Sequence, residues 1–207
     1  MNGYCQFLEN FYFKESQPKD EESISRLPAN LRGLYMSDKD STKRLLVNSD
    51  SVAIEIPMVQ YGTRAELIKK KYKVLDTLVT KPNGISVPCF IKNDTVFFVD
   101  YVESVFFAVS ETNQIKKVDD KYILSKKVSD DKWEVFLLYK ENDKICLAYF
   151  DFEKFKKEID ANKKIEKVKQ TESNSYYLAN LKLKEFNKII DKGYFPIKQY
   201  FHNRFDF

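Results

Sequence analysis

The densest set of reactive residue types lies in residues 121–150, KYILSKKVSDDKWEVFLLYKENDKICLAYF, with adjacent acids, the single tryptophan and a cysteine. Neighbouring Asp130 and Asp131 could hold a cation or do acid–base work. They stand between two apolar runs, however, where aspartate tolerates turn geometry and bonds its own backbone. The pair reads as the bend of a hairpin. His202 is the only histidine, which all but excludes a multi-histidine metal site and counts against a His-based dyad. With 5 glycines there is no phosphate-cradling loop of either common spacing. DKDST (38–42) lacks the glycine and distant glutamate of a calcium loop and reads as a turn. Glu55, between Ile54 and Ile56, is the carboxylate nearest to an apolar setting, yet the alternation places it on an outer face. An acid-only hydrolase would have to use Glu55, Asp130 or Asp131. Cys89 and Cys146 sit in apolar runs as small buried hydrophobes, and with Cys5 they form no zinc spacing. Neither a metal nor a cofactor is expected.

Lys69, Lys70, Lys71 and Lys73 form the strongest basic run and are the candidate nucleic-acid contacts. Lys163, Lys164, Lys167 and Lys169 are diluted by Glu158, Asp160 and Glu166. The formal charge of +4, from 35 basic and 31 acidic residues, is no nucleic-acid footprint. Nucleic acid is therefore expected only through a partner. No apolar run approaches the roughly 18 residues that span a bilayer. MNGYCQFLENFYF has no charged-then-apolar leader. The reading is cytoplasmic if Met1 is native, or cell envelope if a signal peptide has been removed.

These residues must be held by a chain of 207 residues that is 43% apolar and 15% aromatic, enough to bury a core and rich in strand formers. Residues 1–26 read as an aromatic N-terminal arm and a flexible charged link. Residues 27–150 read as a β-rich domain, with strands at 44–47, 51–57, 73–80, 85–91, 95–102, 104–109, 122–124, 133–139 and 145–150, and a short helix at 63–72. Trp133, Val135, Leu137 and Tyr139 share one face of a strand and Phe136 and Leu138 the other, so that strand is covered on both sides. The orders around Tyr35 and Tyr122 are alike, which suggests two similar three-stranded meanders. Residues 151–207 read as a helix–strand–helix part packed on the domain. Phe152, Phe155 and Ile159 line one helix, and Leu183, Phe186, Ile189 and Ile190 a second that stops at Gly193. KKIEKVKQT extends the first helix or returns as a lysine-rich edge strand. The expected class is α+β: mainly antiparallel β meanders, sandwich or barrel-like and pseudo-duplicated, with short helices, two of them C-terminal.

The cysteine near the start, the FYF patch, LPANLRGLY (27–35), KWEVFLLY (132–139) and KEFNKIIDKGYF (184–195) together resemble a family of uncharacterised lipoproteins from Bacteroidetes-type bacteria. The resemblance covers nearly the whole chain. It implies lipid on Cys5, although bulky Tyr4 stands where a small residue precedes such a cysteine and no apolar segment precedes it. It implies membrane attachment only through that lipid, no enzyme activity and no known ligand. The expected function is a non-catalytic protein that binds a protein partner, as an envelope lipoprotein ectodomain or a cytosolic modulator. Alternatives are a mobile-element-encoded inhibitor of a nucleic-acid-guided defence nuclease and a lipocalin-like carrier of a small apolar ligand. The aromatic C-terminal tail, with Tyr194, Phe195, Tyr200, Phe201, Arg204 and Phe205, is the candidate partner surface.

Overall fold

The computed structural model describes residues 10–40, 42–159, 165–169 and 175–203. β1 (Asn10–Phe13) and the short β2 (Ser23–Ile24) lead into a meander of β3 (Gly33–Ser37), β4 (Arg44–Val47) and β5 (Ser51–Thr63). Then come α1 (Arg64–Lys69), β6 (Lys73–Val74), β7 (Leu78–Thr80), β8 (Ser86–Lys92) and β9 (Thr95–Ala108). A second run holds β10 (Asn113–Val118), β11 (Lys121–Ser129), β12 (Lys132–Glu141) and β13 (Lys144–Tyr149). The chain continues through α2 (Phe152–Ile159), β14 (Ile165–Lys169), β15 (Ser175–Ala179), α3 (Leu183–Asp191) and β16 (Ile197–Asn203).

The turns follow from their residues. Asn93-Asp94 and Asn142-Asp143 have positive φ at both positions, which tight hairpins between right-twisted strands require and Asn and Asp tolerate. Asp130 and Asp131 are the exposed turn between β11 and β12, where Ser129 faces Lys132.

All sixteen strands of the described residues belong to one branched sheet, in the order β14-β15-β1-β12-β13-β16-β3-β4-β5-β9-β8-β7-β6, with β11, β10 and β2 leaving from β12. Every pairing is antiparallel except β1 with β15. The expected α+β class, dominated by antiparallel strands, is what is found. The sheet curls far enough that Phe106 of β9 meets Phe136 of β12 at 4.6 Å between ring centres, although their strands are not neighbours. It stays open, because β9 and β10 join through the Ser110–Asn113 turn without a ladder between them.

Inside the curl, Leu27, Leu45, Val52, Phe107, Ile115, Leu138 and Phe201 form one core, filled by side chains. The outer face of β11–β13 carries the second core, where Trp133, Val135, Leu137 and Tyr139 pack under Phe155, Phe186 and Ile189 of the helices. The central strand β12 is thus buried on both faces, as its two apolar sets require.

The polar stretch after β1, read as a flexible link, is instead fastened down. Ser16 and Gln17 are buried, and the ammonium of Lys116 donates to the carbonyls of Ser16 at 3.1 Å and Pro18 at 2.7 Å. Burial also lowers the Lys116 pKa below the usual lysine range. KKIEKVKQT resolves into the edge-strand alternative, since Ile165–Lys169 pairs with β15. β10 was not expected: its alternation is broken by Lys116, whose burial rests on backbone carbonyls that pattern reading does not see.

Candidate functional site

The aromatic tail docks on its own chain. Tyr194 and Phe195 are buried in the helix-covered core and Phe201 in the curl, because β16 inserts between β13 and β3. Tyr200, half-buried, donates to a Glu141 carboxylate at 2.7 Å. As an exposed partner surface this set is therefore corrected: Tyr194 and Phe195 are core residues, and Phe201 belongs to an interior strand. Arg204, Phe205 and Cys5 lie outside the described residues.

Exposed apolar surface gathers elsewhere. β5 and β9 run on together past the body of the sheet, in register from Ser51↔Ala108 to Thr63↔Thr95. β8, β7 and β6 extend the sheet from β9 near the tip, and α1 covers one face there. Thr63 caps α1: its hydroxyl accepts from the Glu66 N–H and the Glu66 carboxylate accepts from the Thr63 N–H. Leu67, Val79, Val96 and Phe98 make the small core beneath that helix.

The register sorts the arm's side chains, since directly opposed residues share a face. Pro57/Tyr101, Val59/Val99 and Tyr61/Phe97/Phe90 lie on the face away from α1. The three rings form a row, with centre distances of 6.0 Å and 6.4 Å on either side of Phe97. Tyr61 is 72% exposed, Val59 65% and Phe90 63%. The opposite face leaves Ile56, Met58 and Val102 exposed between the two cores.

The arm also has an open edge. β4 covers β5 only as far as Glu55, so from Ile56 onward the outer edge of β5 pairs with no described strand. No charged residue occurs between Glu55 and Arg64. Natural monomers usually protect such an edge with charge, with proline or with a covering element. Only Pro57 interrupts this one. A groove of about 590 Å³ lies along the tip of the edge, lined by Tyr61, Glu66, Leu67, Lys70 and Phe97 among others.

The basic run sits at the same tip. Lys69, Lys70, Lys71 and Lys73 are all exposed, and Lys70 lines the groove. Where the arm joins the body, Arg44 lies over the Tyr101 ring and 3.5 Å from Glu55. Glu55 is half-buried beside this arginine, so it serves an ion pair at the arm's root.

The other sequence candidates are spread apart. Asp130 is exposed and 3.6 Å from Lys127. His202 Nδ1 lies 2.9 Å from Asp38, which also accepts from Lys144 at 2.6 Å. The Lys144 hydrogen bond, then that of His202, hold the Asp38 carboxyl below the usual carboxylate range. An aromatic-lined cavity of about 220 Å³ occupies the fork where β1 and β13 share one edge of β12. Phe11, Phe13, Phe150 and Phe152 line it on the helix side. Among the described residues no three metal-ligating side chains come together, and no helix is long and apolar enough to cross a membrane.

Sequence reasoning missed the arm because it read 51–57, 95–102 and 104–109 as separate strands. The usable signal was the uncharged run 56–63 facing an equally apolar 96–102. No family profile, curated protein or solved structure matches the chain.

Proposed function

We propose that this chain is a non-catalytic interaction protein and that the β5–β9 arm is its binding element. The observation that carries this reading is the concentration of exposed apolar side chains on the β5–β9 arm and the β8 strand beside it. Val59, Tyr61, Phe90, Val99, Val102 and Val105 are each more than two-fifths exposed. Contiguous apolar surface of more than a few hundred Å² marks an interaction site in a monomer. Unpaired strand edges recruit partners by strand addition, in which backbone bonds give affinity and side-chain pockets give specificity. The lysines at the tip add a positive rim, which suits a partner that itself holds nucleic acid.

The test is binding with the arm altered and the fold intact. Tagged wild type and the double variant V59K/Y61K are compared in a pull-down, with and without nuclease. The expected result is a protein partner retained by the wild type and lost by the variant. Equal recovery by both would overturn the arm as the binding element.

A further inference from the structure

We infer that the aromatic cavity in the fork of β1, β12 and β13 binds a small arylalkylamine in its protonated form, a single ring on a short chain that ends in an ammonium. This site is separate from the arm and adds a small ligand to the reading above.

The fork opens because two strands share one edge of β12. β1 meets that edge only at Phe13↔Trp133, and β13 joins it from Phe136↔Tyr149 onward. Glu134 and Val135, between these pairs, face no described strand on that side, so the gap becomes a slot through the sheet. Strand alternation gives the slot two unlike ends. Trp133 and Val135 look towards the helices, with Phe11, Phe13 and Phe150. Glu134, Phe136 and Tyr149 look towards the curl, where Phe106 packs on the last two.

Three polar groups of this lining lack partners. Glu134 is the only charged residue that lines the cavity, and it makes no ion pair or side-chain hydrogen bond with any described residue. Lys126 faces it across β11 yet does not pair with it. The Tyr149 hydroxyl and the Trp133 indole N–H likewise bond to no described residue, although Trp133 is only 8% exposed. Buried tyrosine and tryptophan usually find such a partner. Tyr149 stands diagonal to Glu134 on the same face, so both oxygens are within reach of one shared donor. Burial pushes the Tyr149 phenol up, which keeps it neutral and its oxygen free to accept.

These features select the ligand. An anion would be repelled by Glu134. An uncharged apolar molecule would desolvate that carboxylate and give nothing back. An ammonium supplies the missing charge and donates to Glu134 and Tyr149. The aromatic faces around it favour the same sign. On the helix side Phe11 and Phe150 lie 4.8 Å apart between ring centres and form an apolar wall for the ligand's own ring. At about 220 Å³ the cavity falls below the roughly 300–1,000 Å³ of drug-sized sites, which limits the ligand to one ring and a short chain.

The experiment follows the fluorescence of Trp133, the only tryptophan, which reports on the cavity directly. The full chain is titrated at neutral pH with phenethylamine, 2-phenylethanol and phenylacetate. The titrations are repeated with Glu134→Gln, whose fold is checked by circular dichroism. Phenethylamine is expected to give a saturable change, 2-phenylethanol the same change only at much higher concentration, and phenylacetate none. Glu134→Gln should weaken phenethylamine roughly tenfold or more, the size of one hydrogen bond to a charged group, and leave 2-phenylethanol as it was. No saturable response to phenethylamine at millimolar concentration would overturn the site. Equal affinity of the wild type for the amine and the alcohol would overturn the cation, with or without a folded variant. Equal affinity of wild type and folded Glu134→Gln for the amine would overturn the role of the carboxylate and the inference with it.

Discussion

The guanidinium carbon of Arg44 lies 3.2 Å from the centre of the Tyr101 ring. Arg44 stands in register with Glu55, which in turn faces Glu103 of β9, and its guanidinium lies 3.5 Å from the Glu55 carboxylate at the root of the arm. One Glu55 oxygen is buried with no hydrogen-bond partner, and Arg44 is its ion-pair partner. Arg44→Ala should cost about 1–3 kcal/mol, from the lost ring contact and the carboxylate left uncompensated. Urea midpoints check this. Adding Glu55→Gln should recover part of the loss, and additive losses would refute the coupling.

Lys116 holds the segment after β1 through two backbone carbonyls. Lys116→Met should destabilise the fold by about 1–3 kcal/mol, because both carbonyls are left without a donor. The pH dependence has a definite sign. Burial depresses the Lys116 pKa, so the folded chain releases this proton before the unfolded chain does. The wild type should therefore gain on the variant as pH rises towards the ordinary lysine value of about 10.4. A difference between the two that is flat with pH would show the ammonium to be fully solvated.

Tyr200 is pushed up to about 12, first by its hydrogen bond to Glu141 and then by desolvation. The unfolded phenol ionises near pH 10. The stability this proton supplies is present below pH 10 and is lost as pH rises through about 12. Tyrosinate absorbance, compared with Tyr200→Phe, isolates the residue, and Glu141→Gln should move its transition down. A Tyr200 that titrates near pH 10 in the wild type would refute the contact.

Phe201 fills the curl at 2% exposure, and β16 lies between two strands rather than at an edge. Phe201→Ala should cost about 3–5 kcal/mol. Removal of residues 194–207 should abolish the cooperative melting transition, as read by circular dichroism. A truncated chain that still melts cooperatively would show the tail to be dispensable.

Much of the fold was legible because its signals are local. The double apolar set of Trp133 to Tyr139 announced a strand buried on both faces, and the Asn–Asp pairs announced the hairpins. The bend at Asp130-Asp131 followed from its flanks. What periodicity cannot report is which edge meets which. Tyr194 to Phe201 has the composition of an exposed adhesive tail and of an interior strand alike. Only the pairing of β16 with β13 and β3 separates the two. The arm was hidden for a related reason: Pro57 reads as a strand end, yet an outer edge accommodates it without losing a ladder bond. Gln17 and Lys116 were hidden because their burial depends on distant partners, the Ser125 hydroxyl for the Gln17 N–H and the Ser16 and Pro18 carbonyls for Lys116.

The position of β16 has a consequence for synthesis. His202 and Asp38, brought together by β16 and β3, are 164 positions apart in sequence. While a ribosome is still delivering the helices, β3 and β13 each present an unpaired interior edge, and the curl lacks Phe201. Until β16 is made, the chain thus holds two adhesive edges that this strand seals. Any factor that meets the chain before β16 has been made will find it open at the seam rather than at the arm.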